Sequence, residues 1–269
     1  MPERNLVLPD IKKLHELIVD AARRELLPRF AEVTRTLKAD GSIVTRADIA
    51  MQQTLRERLN AHWPEYRFLG EEMPEAEQRA LLESHDTGLW CLDPVDGTSN
   101  FAAGVPFFAV SLALINRGEV VLGVVYDPMR DECFSARKGQ GAWLNGVRLE
   151  YKEFNLPLQR ALAAIDFKRL PTSLARRLVE RPPYSSQRNF GSVALEWCWL
   201  AAGRFHVYLH GRQRVWDYAA GSLILAEAGG RAATLESDTP CGLEFKPCSV
   251  VAALDHRLFA EWKHYLSTQ

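Results

Sequence analysis

A chain of 269 residues, 47% hydrophobic and 25% charged, is long enough to bury a large core and has the composition of a globular protein, as one large domain or two joined halves. Its formal net charge of -1 excludes the basic excess with which a whole surface would bind nucleic acid, and favours a small, diffusible partner. Five cysteines, Cys91, Cys133, Cys198, Cys241 and Cys248, are odd in number and without paired spacing. They fit neither a disulfide framework nor a zinc knuckle and read as small apolar fillers in a reducing compartment.

The N-terminus has no signal-peptide apolar block and no later run approaches about 20 apolar residues, so the expected location is the cytoplasm. From Asp10, an N-cap, Ile11, Leu14, Ile18, Ala22 and Leu26 recur at helical spacing until Pro28. After the turn-forming stretch Lys38 to Ser42, a second helix is expected from Thr45, carrying Ile49, Leu55 and Leu59 up to Pro64. On this reading two helices precede the first strand.

Leu89-Trp90-Cys91-Leu92 is a short apolar run that suits a buried strand delivering Asp93 at its end. Antiparallel strands are expected over 107–115, 120–126 and 133–137, separated by turns at Asn116 to Glu119 and at Asp127-Pro128. Beyond the turn pair Asn145-Gly146 come a helix in 192–202, a strand in 205–209 and a helix in 217–228 closed by Gly229-Gly230. A strand in 249–253 and a terminal helix from Asp255 complete the chain. Residues 1–150 and 151–269 are expected to form two halves packed as one unit.

The strongest chemical feature is Asp93-Pro94-Val95-Asp96-Gly97-Thr98-Ser99-Asn100-Phe101. Two carboxylates flank a proline-stiffened turn, and hard divalent cations prefer such oxygen ligands, a backbone carbonyl included. Gly97 permits close backbone approach, and Thr98-Ser99 can open a short helix whose amides face an anion. The bland alternative is a polar turn whose Asp and Thr bond local amides. Gly70-Glu71-Glu72 is weak alone, since acid pairs are usually solvated. Asp217 in Trp216-Asp217-Tyr218-Ala219-Ala220-Gly221 could simply cap its own helix, and Thr45-Arg46-Ala47-Asp48 resembles a capping box.

Together, and in this order, Gly70-Glu71-Glu72, Asp93 to Phe101 and Trp216 to Gly221 resemble the motifs of the inositol monophosphatase family. Supporting resemblance runs through Lys38 to Asp48, 123–126, 136–139, Arg188 to Ala194 and 227–230. It implies a mixed α and β fold, a layered αβαβα sandwich of the sugar-phosphatase type, usually a homodimer. It also implies magnesium-dependent hydrolysis of a small phosphate monoester by metal-activated water. By the same resemblance Glu71, Asp93, Asp96, Asp217 and the Val95 carbonyl would bind Mg2+, and Glu71, Thr98 and Asp48 would serve catalysis, the last two by positioning water. Gly97, Thr98 and Lys38 would hold phosphate, while Gly191, Ser192 and Val193 would line the substrate side.

One departure concerns His210, seven residues before Asp217, where inositol-processing members commonly place a glutamate. A neutral imidazole accepts one hydrogen bond and lacks the carboxylate's charge, so a polyol would be held less firmly there; alternatively His210 caps the strand or faces solvent. The strip Lys38 to Ser42 also looks like the nucleotide-bisphosphate branch. Two rivals are a dehalogenase-type phosphatase, whose aspartate spacing D-x-D differs from the D-x-x-D here, and a regulatory binding protein on this fold. The intact acids favour a phosphorylated small molecule over nucleic acid or transcription machinery as partner. Gly139-Gln140-Gly141 reads as a hairpin turn and the dispersed histidines as surface or packing residues.

Overall fold

The computed structural model describes residues 8–30, 36–37, 43–84 and 88–268. Helix α1 (Ile11–Glu25) starts where Asp10 accepts the Lys12 N–H, and it buries Leu14, Ile18 and Ala22 as their spacing requires. A small antiparallel pair, β1 (Thr36–Leu37) and β2 (Ile43–Val44), follows, so strands do precede the second helix, contrary to expectation. Helix α2 (Arg46–His62) is capped by Thr45 and turns Met51, Leu55 and Leu59 inward. Ile49, expected on that face, is 58% exposed because it lies between the buried positions 48 and 51.

The chain continues through β3 (Arg67–Gly70), α3 (Glu75–Glu83), β4 (Leu89–Asp96), α4 (Thr98–Ala103), β5 (Ala109–Asn116), β6 (Glu119–Asp127), β7 (Glu132–Arg137), β8 (Gly141–Leu144) and β9 (Val147–Leu149). These seven strands form one sheet in chain order, antiparallel throughout except for the parallel β3–β4 pair. The turn at Asn145-Gly146 takes positive φ at both residues, the backbone that suits a two-residue hairpin.

A second sheet gathers β10 (Leu162–Asp166), β11 (Ser186–Arg188), β12 (Val207–Gln213), β13 (Arg231–Ala233) and β14 (Cys248–Ala253) in the order β11-β10-β12-β14-β13. Between its strands run α5 (Thr172–Glu180), α6 (Val193–Ala201) and α7 (Val215–Glu227), and α8 (His256–Ser267) closes the chain. The strand expected in 205–209 begins two residues later, and α7 begins two residues before Asp217.

Alternation along the central strands shows why the molecule is layered. Trp90, Leu92, Val110, Leu112 and Val124 meet α1 and α2, while Cys91, Ala113 and Val125 meet α6 and α7. In the second sheet, Tyr208, Val250 and Ala252 face α6 and α7 on one side, whereas Leu209, Val251 and Ala253 face Leu178 of α5 and Trp262 of α8 on the other. Strands covered on both faces must be apolar at nearly every position, and these are. The order of layers is helices, sheet, helices, sheet, helices: the αβαβα sandwich.

One reading of composition fails. Cys241 and Cys248 are joined as a disulfide, with Cα atoms 6.0 Å apart across the loop before β14. Cys91, Cys133 and Cys198 are buried thiols. Spacing alone could not show the pairing, which depends on where the fold brings the two Cβ atoms, and the compositional argument for a reducing compartment loses its footing. Among the described residues no helix is long and apolar enough to cross a membrane.

Candidate active site

The site grows from an irregularity in β4. Asp93 pairs with Ser111 and Asp96 with Ala109, so three steps on β4 match two on β5. In a regular strand, residues three apart point to opposite faces; the register shift returns Asp93 and Asp96 to the same face. That face looks toward α7, since the Ser111 hydroxyl donates to the Trp216 carbonyl at 3.2 Å. The strand therefore runs through the Asp-Pro-Val-Asp turn rather than stopping at Asp93 as expected. The Asp93 carboxylate also accepts the Val95 N–H at 3.0 Å, which fixes the bulge.

Four other elements close around this bend. Glu71 follows β3, its N–H donating to Leu92 O at 3.1 Å, and its carbonyl accepts from the buried Gln78 side chain at 2.8 Å. Asp217 lies in the first turn of α7 and is not its N-cap; its carboxylate accepts the Arg214 N–H at 2.8 Å. The depth of α7 is set by Gly123 on β6, where a Cβ would lie 2.9 Å from the Ala220 carbonyl oxygen. From α2, Asp48 completes the capping box with Thr45 (2.8 Å to the Thr45 N–H) and reaches Thr98 with its other oxygen at 3.0 Å. The Thr98 hydroxyl is equally 3.0 Å from the Val95 carbonyl.

Gly97 has φ 94°, a backbone region that only glycine adopts without strain, and it hands the chain from β4 to α4. Its absent side chain leaves room for the neighbouring segment, because a Cβ would stand 3.1 Å from the Gly191 carbonyl oxygen. Ser192 Oγ, Val193 N and Ala194 N all donate to the Asp96 carboxylate, at 2.5, 3.1 and 2.7 Å. Asp96 thus caps α6 from a distant strand and keeps about one free lone pair of four. Lys38 lies outside the described residues.

Glu71, Asp93, Val95, Asp96, Gly97 and Thr98 line a cavity of about 1070 Å³, together with Gly191, Val193, His210 and Asp217. That is ample for a small phosphate ester. Burial raises the carboxyl pKa of Asp93 well above the ordinary range, with Glu71, Asp96 and Asp217 adding repulsion. Asp217 moves the same way for the same reasons, Asp48 is raised by burial, and Asp96 is pushed up to about 6 by burial against its three donors. Among the described residues no three His, Cys, Asp or Glu side chains form a closed ligand group; amide and hydroxyl donors orient them instead. The donor chemistry nevertheless fits Mg2+: all available ligand atoms are oxygens, and a divalent cation would offset the burial and mutual repulsion that raise these carboxyl pKa values.

His210 is placed differently from its expected role. It is buried, with Nδ1 accepting the Arg212 N–H at 3.2 Å and Nε2 facing the Asp166 carboxylate at 3.2 Å. An Nδ1 that accepts puts the proton on Nε2, so both nitrogens are committed and neither is left to accept a substrate hydroxyl. Burial also lowers the His210 pKa, Asp166 opposing.

Glu196 was not singled out in the sequence, yet it lines the cavity and organises its substrate side. It accepts from Phe190 N (2.9 Å) and Gly191 N (3.3 Å), and burial pushes its pKa up to about 7. A lone acid inside the apolar run Val193 to Ala201 was the available signal. Asn100 ties the two loops by donating to Phe107 O and Phe190 O at 2.8 and 2.7 Å.

The model of the inositol monophosphatase family matches residues 11–265. The chain belongs to this family. It is 38% identical over 236 residues to the inositol-1-monophosphatase of Caulobacter vibrioides, covering 82% of this chain and 90% of that protein. It is 33% identical over 234 residues to the Nus factor SuhB of Pasteurella multocida, covering 85% and 84%. The extragenic suppressor protein suhB of Bartonella henselae superposes with a TM-score of 0.80 at 29% identity, over 95% of this chain and 99% of that one. Family membership accords with the resemblance read from the acidic motifs. The name Nus factor attaches a second kind of role to a relative, against the expectation of a small-molecule partner alone.

Proposed function

We propose that the protein is a magnesium-dependent phosphomonoesterase acting on a small phosphate ester, inositol monophosphate or a related polyol or sugar phosphate. The observation that carries the reading is the β4 bulge, which turns Asp93 and Asp96 onto the face where Asp217 enters from α7. Glu71, Asp93, Asp96, Asp217 and the Val95 carbonyl would hold Mg2+. Bound there, Mg2+ would supply a water of lowered pKa and would neutralise charge on the phosphoryl and leaving oxygens.

The protein's own groups hold the reactants. Thr98 Oγ1 has one proton and two acceptors at 3.0 Å, Asp48 Oδ1 and Val95 O, so its lone pairs are turned out to accept from the attacking water. Asp48, fixed by Thr45, orients that hydroxyl. The N–H groups of Gly97 and Thr98 precede the first intrahelical bond of α4, Phe101 N to Gly97 O, and would bind phosphate oxygens. Gly191 and Val193 would border the leaving alcohol, while Ser192, expected beside them, is buried behind the cavity wall with its hydroxyl on Asp96.

Phosphate release from inositol 1-phosphate should vanish in chelator and return with Mg2+, with Ca2+ a poor substitute because its coordination is longer and looser. Full activity in metal-free buffer, or no release from any small ester with Mg2+, would sink the proposal.

A further inference from the structure

Of the residues that would hold Mg2+, Asp93, Val95 and Asp96 belong to a central strand and Asp217 to a helix, whereas Glu71 stands in a turn just past β3, the edge strand of its sheet. Such a turn ordinarily satisfies its main chain with water and moves more than the elements it joins. This one is held by protein. Gln78 on α3 is 4% exposed, a polar side chain on the helix face that also buries Leu82. Its Nε2 donates to the Gly70 carbonyl at 3.0 Å and to the Glu71 carbonyl at 2.8 Å, which spends both protons of the amide. Successive carbonyls of an extended strand point in opposite directions, so one nitrogen reaches both only because the chain bends at Glu71.

From α2, Gln52 Oε1 accepts the Glu72 N–H at 2.9 Å. Gly70 makes room for that amide, since a Cβ there would lie 2.1 Å from the same oxygen. The Glu71 N–H continues the β3–β4 pairing onto Leu92 O, and the Met73 N–H closes the turn on Gly70 O at 3.2 Å. The main chain before, at and after Glu71 is therefore fastened to three elements, α3, β4 and α2. Mg2+ demands near-ideal octahedral geometry and tolerates a displaced oxygen poorly, so a ligand carried by a turn is useful to it only when the turn is fixed.

We infer that Gln78 and Gln52 are positioning residues for the cation: by fixing the bend under Glu71 they hold its carboxylate in the cavity with Asp93 and set the affinity for Mg2+. This rests on the reading above in which Glu71 holds Mg2+. Neither glutamine touches the ester; both act through the backbone of Glu71 and its neighbours.

The test titrates Mg2+ into the ester-free protein, followed by tryptophan fluorescence, and measures phosphate release from inositol 1-phosphate separately. Gln78→Met keeps the length of the side chain and loses both donors; Gln52→Leu loses the acceptor for the Glu72 N–H. Each should raise the Kd for Mg2+ by about 10 to 100-fold. Gln52→Glu, which retains an acceptor, should recover most of that loss. Leu82→Ala controls for plain destabilisation: it opens a cavity under the same helix without touching Glu71, and should lower the denaturation midpoint while leaving the Kd in place. A Kd unmoved in Gln78→Met and Gln52→Leu, or moved as far by Leu82→Ala, overturns the inference. Wild-type protein that binds Mg2+, binds it weakly in the two glutamine variants and releases no phosphate defeats the phosphomonoesterase reading alone. Wild-type protein that binds no Mg2+ defeats both.

Discussion

Glu196 offers the cleanest quantitative test of how the substrate side is held. Its carboxyl is 2% exposed, accepts two main-chain N–H groups and a hydrogen bond from Tyr208, and titrates near 7 because burial outweighs those donors. In the unfolded chain it titrates near 4.5. Between these values the native state keeps a proton that the unfolded state releases. The folded pKa is raised, so this contribution to stability is fully present below about 4.5 and is lost as pH rises through about 7. A tenfold difference in proton affinity between the two states is worth about 1.4 kcal/mol, so the loss from pH 5 to pH 8 is of order 3 kcal/mol. Glu196→Gln preserves shape and one acceptor for Phe190 N and Gly191 N while abolishing titration. The amide faces Tyr208, whose hydroxyl proton then lacks its acceptor, a pH-independent cost of about 1 to 3 kcal/mol. Urea denaturation of both proteins across pH 5 to 8 should therefore show the variant gaining on the wild type by about 3 kcal/mol as pH rises, whatever its offset at pH 5. A difference independent of pH, or one that falls, would refute the reasoning.

Thr98→Ala removes the hydroxyl between Asp48 and the Val95 carbonyl and should lower kcat by about 10 to 100-fold while leaving most of the Mg2+ affinity; a parental rate at saturating Mg2+ would exclude Thr98 from holding water. Gly123→Ala drives a methyl against the Ala220 backbone and should cost about 1 to 3 kcal/mol, read as a lower denaturation midpoint. Unchanged stability would mean that α7 is not seated by that contact.

The fold was legible wherever a strand or helix carries its own period. The α1 stripe, the Asp10, Thr45 and Asp255 caps and the antiparallel strands around residues 107–137 emerge within a residue or two of their structural bounds. Elements held mainly by neighbours were not. Ser186–Arg188 and Arg231–Ala233 are three-residue edge strands, too short for any alternation to register. The disulfide joins cysteines whose meeting depends on the course of the loop between them.

At the site, the acids were legible as oxygen donors in ordered motifs, but their common orientation was not. Asp96 lies three positions after Asp93, and an unbroken β period would have set them on opposite faces of the sheet. Only the uneven register against Ser111 and Ala109 reconciles them. The same limit explains His210. As a residue type it offers an acceptor, and only its neighbours, the Arg212 N–H on one nitrogen and Asp166 beyond the other, show that the acceptor is spent. What a side chain can do is written in its chemistry; how much of that capacity remains for a substrate depends on the partners the fold has already assigned it.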